Sequence, residues 1–331
     1  MNASGIPVYA DIEAAAARIA PYVAETPLIE SRALNARVGA RVLLKLETLQ
    51  RTGSFKFRGA LNCILQIPEA ERGRGVVAFS SGNHAQGVAA AAGLLGIPAV
   101  IVMPADAPVA KLEGTRALGA EIVFYDRQRD DREAMAAELC AKRGATLVRP
   151  FDDAAVVAGQ GTIGLELARQ AAALGARLGH VVVPCSGGGL ASGIALALSE
   201  VAPAATVHSV EPEDFDGMRR SLIAGSRTAA PGGAVSLADA LMAPVPGQIP
   251  FALARSRLGE GVSVNDEELA RAVSYAVRVL KLVVEPGGAA GLAALLAARI
   301  DAGFGDVAIV LSGGNCDPAT LAQCCSRVAN P

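Results

Sequence analysis

Short strand-like runs alternate with helix-like stretches along almost the whole chain. Three of the runs end in small, polar, glycine-bearing loops that each open a helix: Ser80-Ser81-Gly82-Asn83-His84, Ser186-Gly187-Gly188-Gly189-Leu190 and Ser312-Gly313-Gly314-Asn315. This order restricts the chain to an α/β fold with mostly parallel, twisted sheets flanked by helices and joined by right-handed crossovers. The predicted strands are Val42–Leu46, Val76–Phe79, Ala99–Val102, Glu121–Tyr125, Thr146–Val148, His180–Val183, Thr206–Val210 and Val307–Leu311. Helices are expected over Asp11–Val23, with Asp11 as cap, and near 58–66, 84–95, 109–118, 130–142, 160–173, 189–200, 266–281, 288–299 and 317–326. In open α/β sheets the carboxyl ends of strands face the ligand crevice, so the three loops can converge on one site.

The strand runs fall into two groups, which predicts two domains. A smaller one spans 53–148 and carries the Ser81-Gly82-Asn83 loop; a larger one is assembled from 1–52 and 149–331. The segment 225–264, rich in Gly, Pro and Ser, reads as a loop that either covers an entrance or makes a plain surface connection. Between Gly75 and Ala105 there is no Asp, Glu, Lys or Arg, but Ser80 to His84, Gln86 and four Gly or Pro residues break the run, so a membrane span is rejected. A formal charge of −2 removes the basis for general nucleic-acid binding and points to a small-molecule partner. The amino terminus lacks the basic patch and apolar core of a secretory signal, which makes the cytoplasm the expected compartment. Six cysteines without CxxC spacing, and three histidines not paired with them, predict reduced thiols and no zinc.

Only five lysines occur against twenty-five arginines. Lys56 is pressed between Phe55 and Phe57, just after the strand Val42–Leu46. A lysine amine alone can form the reversible imine by which an aldehyde cofactor is held and exchanged with an amino acid, and these neighbours predict a partly desolvated amine with a lowered pKa. The alternative is a packed surface lysine. Lys45 lies inside a strand, and Lys111, Lys142 and Lys281 lie on amphipathic stretches where the charged head reaches water.

The run Ser186 to Leu190 has the form of an anion cradle, in which glycine N–H groups close on phosphate oxygens at a helix start. A plain strand-to-helix turn is the alternative. A dinucleotide site is disfavoured because Ser192 stands where the third glycine of that fingerprint belongs. Ser81-Gly82-Asn83-His84 offers backbone donors for a carboxylate and a side-chain amide for a phenolic oxygen, with the His84 ring expected to pack behind the loop.

Together, Ser54-Phe55-Lys56-Phe57-Arg58-Gly59-Ala60, Ser81-Gly82-Asn83-His84-Ala85-Gln86-Gly87, Gly159-Gln160-Gly161-Thr162, Ser186 to Leu190, Glu285-Pro286-Gly287-Gly288-Ala289 and Ser312-Gly313-Gly314-Asn315 resemble the fold-type II pyridoxal-phosphate enzymes, whose fold is like that of the tryptophan synthase β chain. The nearest group is that of the serine/threonine dehydratases and serine racemases. The resemblance implies pyridoxal 5'-phosphate as cofactor, Lys56 as its imine and proton carrier, and Phe55 packed on its ring. Asn83 would bind the phenolic oxygen, Ser186, Gly187, Gly188, Gly189 and Leu190 the phosphate, and Ser312 the pyridine nitrogen, with Glu285 beside the cofactor. Ser54, Ser81, Gly82, Asn83 and His84 would hold the substrate carboxylate.

The implied reaction is α,β-elimination, giving 2-oxobutanoate from L-threonine or pyruvate from L-serine, plus ammonia, in a homodimer. Ser81 would act as a second acid/base opposite Lys56 and give some racemase capacity. Serine racemase and threo-3-hydroxyaspartate dehydratase are alternatives with the same cofactor; an NAD-linked oxidoreductase and a silent binding protein are those from other classes. Two departures stand out. Gly288 replaces the commoner alanine and leaves extra room, and acids following Glu211 are displaced to Asp214 and Asp216, which argues against a divalent metal there.

Overall fold

The computed structural model describes residues 5–232, 235–303 and 305–327. Residues 1–4 of the amino-terminal segment and 233–234 of the 225–264 stretch lie outside the described residues. The strands are β1 (Leu28–Glu30), β2 (Val42–Leu46), β3 (Val76–Phe79), β4 (Ala99–Pro104), β5 (Glu121–Tyr125), β6 (Thr146–Leu147), β7 (Leu178–Pro184), β8 (Thr206–Pro212), β9 (Val262–Val264) and β10 (Asp306–Leu311). They form a six-stranded sheet in the order β1-β2-β10-β7-β8-β9 and a four-stranded sheet in the order β5-β4-β3-β6. Among the described residues these strands all pair in parallel except β1 with β2. Strands β2, β3 and β4 are buried along their whole length, as expected of parallel strands covered by helices on both faces.

All eight predicted strands are present. Strands β1 and β9, three residues each, are additional. The stretch 225–264 is more ordered than a loop, because it contains a 3-10 turn at Asp239–Leu241, the helix Gln248–Ala254 and β9. Asp11 is not the cap of the first helix: Tyr9–Ile19 starts after Val8, and Asp11, in its first turn, accepts the Val8 N–H at 2.8 Å. The helix expected over 266–281 is α-helical through Tyr275 and continues as a π-helix over Ala276–Leu280, ending at Lys281 in the left-handed region.

The Gly159-Gln160-Gly161-Thr162 motif is explained by packing. It lies on the buried helix Ala154–Ala173, which is clamped between the helices Lys56–Leu65 and Gly189–Val201. A Cβ at Gly159 would stand 2.7 Å from Gly59 Cα, and one at Gly193 would stand 2.6 Å from the Val157 carbonyl. Only glycine permits such backbone approach, so one helix holds the helix of Lys56 and the helix behind the 186–190 loop in a fixed relation.

A buried ionic network locks the same region. Lys45 is fully buried in β2, and its ammonium donates to Glu166, Gln170 and the Thr26 carbonyl at 2.7, 2.9 and 2.7 Å. Arg58, two residues beyond Lys56, donates to both oxygens of Glu47 and both of Glu166 at 2.6–2.9 Å. Two cations and two carboxylates neutralise one another, and their hydrogen bonds offset the cost of removing the charges from water.

Candidate active site

Strand β2 leads through two 3-10 turns, Glu47–Leu49 and Arg51–Gly53, into the helix that begins at Lys56. Thr52 and Gly53 take φ of 60° and 69°. For a β-branched threonine the left-handed region is strained by roughly 1–3 kcal/mol, and the surroundings must enforce it. They do so by pairing this turn with the loop after β10: Gly314 N–H donates to the Gly53 carbonyl at 2.8 Å, Phe55 N–H to the Ser312 carbonyl at 3.1 Å, and Ser54 bridges Gly313.

Lys56 Nζ donates to the Pro150 carbonyl at 2.7 Å and lies 5.1 Å from the centre of the Phe55 ring. Burial lowers its pKa to about 8, partly opposed by the Glu285 carboxylate. A substantial share of neutral amine is therefore present near physiological pH. The hydroxyl of Ser54 is buried and has no hydrogen-bond partner among the described residues.

The loop after β3 brings Asn83 to the start of a second helix, Asn83–Leu94. Asn83 Nδ2 donates to Glu285 Oε1 at 2.5 Å, and Asn83 Oδ1 accepts from Asn315 Nδ2 at 2.8 Å. Burial raises the pKa of Glu285 to about 7. Ser81 and Gly82 are half-buried at the same helix start. His84 is buried behind the loop, with Nε2 on the Val148 carbonyl at 2.9 Å, and burial reinforced by Lys56 holds its pKa down at about 3. Its other ring nitrogen, Nδ1, is buried with no hydrogen-bond partner among the described residues.

Strand β7 ends in the third loop. Gly188 has φ of 92°, and the helix Gly189–Val201 follows directly. A Cβ at Gly187 would collide with the Phe151 ring, one at Gly188 with Met218 Cε and Pro250, and one at Gly189 would press on Phe151 at 3.2 Å. Ser186 Oγ accepts the Ala243 N–H at 3.0 Å. The first N–H groups of a helix lack intrahelical partners, so this glycine turn leaves backbone donors open to an anion. A lysine with a lowered pKa, an unpartnered buried hydroxyl, an asparagine amide and a glycine cradle together fit an aldehyde cofactor with a phosphate tail. The family model for pyridoxal-phosphate dependent enzymes matches residues 19–313. The chain belongs to this family.

The pyridoxal-phosphate enzymes it resembles differ in activity. L-Threo-3-hydroxyaspartate ammonia-lyase of Saccharomyces cerevisiae is 40% identical over 314 residues, covering 94% of each chain. L-Threonine ammonia-lyase of Thermotoga maritima is 43% identical over 307 residues, covering 93% of this chain and 75% of that one. The solved structure of maize serine racemase superposes with a TM-score of 0.91 at 36% identity, covering 97% and 98% of the two chains.

In this pyridoxal-phosphate enzyme Ser312 sits almost fully buried at the end of β10. Gly288 leaves no extra room, contrary to expectation, because a Cβ there would strike the Gly313 carbonyl and stand 2.9 Å from its nitrogen. The glycine is required by close approach of the Glu285 turn to the Ser312 loop. Glu211 is buried and accepts the N–H groups of Met218 and Arg219 at 2.9 and 2.8 Å, while Asp216 pairs with Arg219 and Arg220. Sequence reasoning missed the Pro150 carbonyl beside Lys56, the Phe151 ring under the glycine cradle, and the contacts of Asn315. Asn315 lay inside a recognised motif but carried no assigned role.

Proposed function

We propose that this member of the pyridoxal-phosphate family is an L-threonine/L-serine ammonia-lyase that releases 2-oxobutanoate or pyruvate and ammonia. One observation carries the reading: an amine with a pKa near 8 stands where the turn bearing the unpartnered Ser54 hydroxyl meets the helix start at Asn83. Bound there, pyridoxal phosphate supplies an aldehyde for the substrate amine and a conjugated ring that accepts the electrons released at Cα. The 186–190 turn would hold its phosphate, Asn83 its phenolic oxygen and Phe55 its ring. Ser312, a neutral hydroxyl, would face the ring nitrogen without protonating it, which favours expulsion of a β-substituent.

In this reading the neutral Lys56 amine takes the Cα proton and returns protons as the β-hydroxyl leaves. The Ser54 hydroxyl and backbone donors at 81–84 orient the carboxylate. Ser81 supplies a second acid/base, which adds minor racemisation of serine. We place the small domain at 53–148 and the large one at 1–52 and 149–331, in a homodimer. Leu49 and Val283, 58% and 54% exposed, are apolar side chains open to such a contact. The six free thiols suit a reducing cytoplasm.

A second reading, L-threo-3-hydroxyaspartate ammonia-lyase, is supported by the relatives of that name from Saccharomyces cerevisiae and a Pseudomonas species, 40% and 43% identical to this chain. Rates of 2-oxo acid release from L-threonine, L-serine and L-threo-3-hydroxyaspartate decide between the two. Faster release from the monocarboxylates supports the proposal. Release confined to the hydroxyaspartate overturns it in favour of the second reading.

A further inference from the structure

We infer that Asn315 is a positioning residue that fixes the side-chain amide of Asn83 as a hydrogen-bond donor toward the cofactor. The inference rests on the assignment of pyridoxal phosphate to this site. It starts from a group with only one possible role. The Thr52 carbonyl can only accept, so Asn315 must turn its NH2 toward it, at 2.7 Å. The same NH2 reaches Asn83 at 2.8 Å, and Asn83 must therefore present Oδ1 there. Its own NH2 is left on the other side, one N–H bonded to Glu285 at 2.5 Å and the second free for the phenolic oxygen. A backbone carbonyl thus settles, through two amides, which end of Asn83 faces the cofactor.

The anchoring carbonyl is itself held. Thr52 and Gly53 are both left-handed, and the Gly53 carbonyl is tied to Gly314 N–H at 2.8 Å, one residue before Asn315. A Cβ at Gly53 would strike Asn315 Oδ1, so the glycine at 53 also makes room for the Asn315 amide. Residues 52–53, 83, 285 and 315 come from four separate segments. Neither Asn315 nor Thr52 need touch the cofactor to set the polarity of the amide that does.

The test separates a hydrogen-bond role from packing. N315D is isosteric but cannot donate to the Thr52 carbonyl while ionised, and it draws the Asn83 NH2 toward itself, leaving Oδ1 facing the phenolic oxygen. N315A removes the Asn315 constraint and leaves the Asn83 amide held by Glu285 alone. The measurements are pyridoxal phosphate dissociation constants of the apoproteins, the visible absorbance of the reconstituted proteins, and circular dichroism of each fold. Weakening by about tenfold in N315A and about a hundredfold or more in N315D, with a shifted absorbance maximum in N315D and native dichroism in both, is expected. N315D binding as tightly as wild type, or better than N315A, overturns the inference. The control is wild-type apoprotein: if that fails to take up the cofactor at all, the assignment of the site has failed instead.

Discussion

The amine of Lys56 and the carbonyl of Pro150 meet at 2.7 Å across 94 positions of sequence. That contact joins the start of the helix from β2 to the segment after β6, next to Phe151 and the glycine cradle. The neutral amine needed for imine formation is obtained by burial, not by a neighbouring cation. The rate of cofactor uptake by the apoprotein should therefore rise with pH and level off above about 8. Stopped-flow absorbance over pH 6–10 checks this, and a profile still climbing steeply at pH 10 would show an amine of ordinary basicity.

The glycine cradle has no room for side chains. Gly187→Ala pushes a methyl into the Phe151 ring, which should destabilise the fold by about 1–3 kcal/mol and weaken cofactor binding by at least tenfold. Denaturant titration and fluorescence titration of the apoprotein give the two numbers. A neutral effect on both would remove the turn from the phosphate site.

Arg58 is held by Glu47 and Glu166 and is fully buried. Arg58→Met leaves two carboxylates facing each other and Lys45 as their one remaining cation. Loss of a partner from a buried pair costs about 3–5 kcal/mol, so the variant should unfold at clearly lower denaturant concentration. An unchanged midpoint would mean that the network is not closed in solution.

Folding raises the pKa of Glu211 from 4.5 to about 8, chiefly by burial. Between those values the native chain binds more protons than the unfolded one. The stabilisation from Glu211 is thus complete below pH 4.5 and lost as pH rises through 8. Stability of the apoprotein should fall between pH 5 and 8, and Glu211→Gln should flatten that slope whatever its absolute stability. Parallel slopes in the two proteins would contradict the burial.

Much of this was legible in the chain because long apolar runs bounded by Gly and Ser announce buried parallel strands, and β2 to β8 and β10 fall where those runs lie. Strands β1 and β9 are three residues long, too short to carry a period, and gain their structure from neighbours. The motif loops were visible as glycine-rich strand ends. What they do to one another was not: Asn83 finds Glu285 and Asn315 202 and 232 positions away, and no local pattern encodes such pairs. Gly288 illustrates the same limit, since a glycine read as spare room is the contact point of two turns.

The most direct test of the central claim is borohydride reduction of the protein reconstituted with pyridoxal phosphate, followed by peptide mapping. One phosphopyridoxyl group, on Lys56, is expected. A label on Lys45, Lys111, Lys142 or Lys281 in its place, or no label at all, would contradict it.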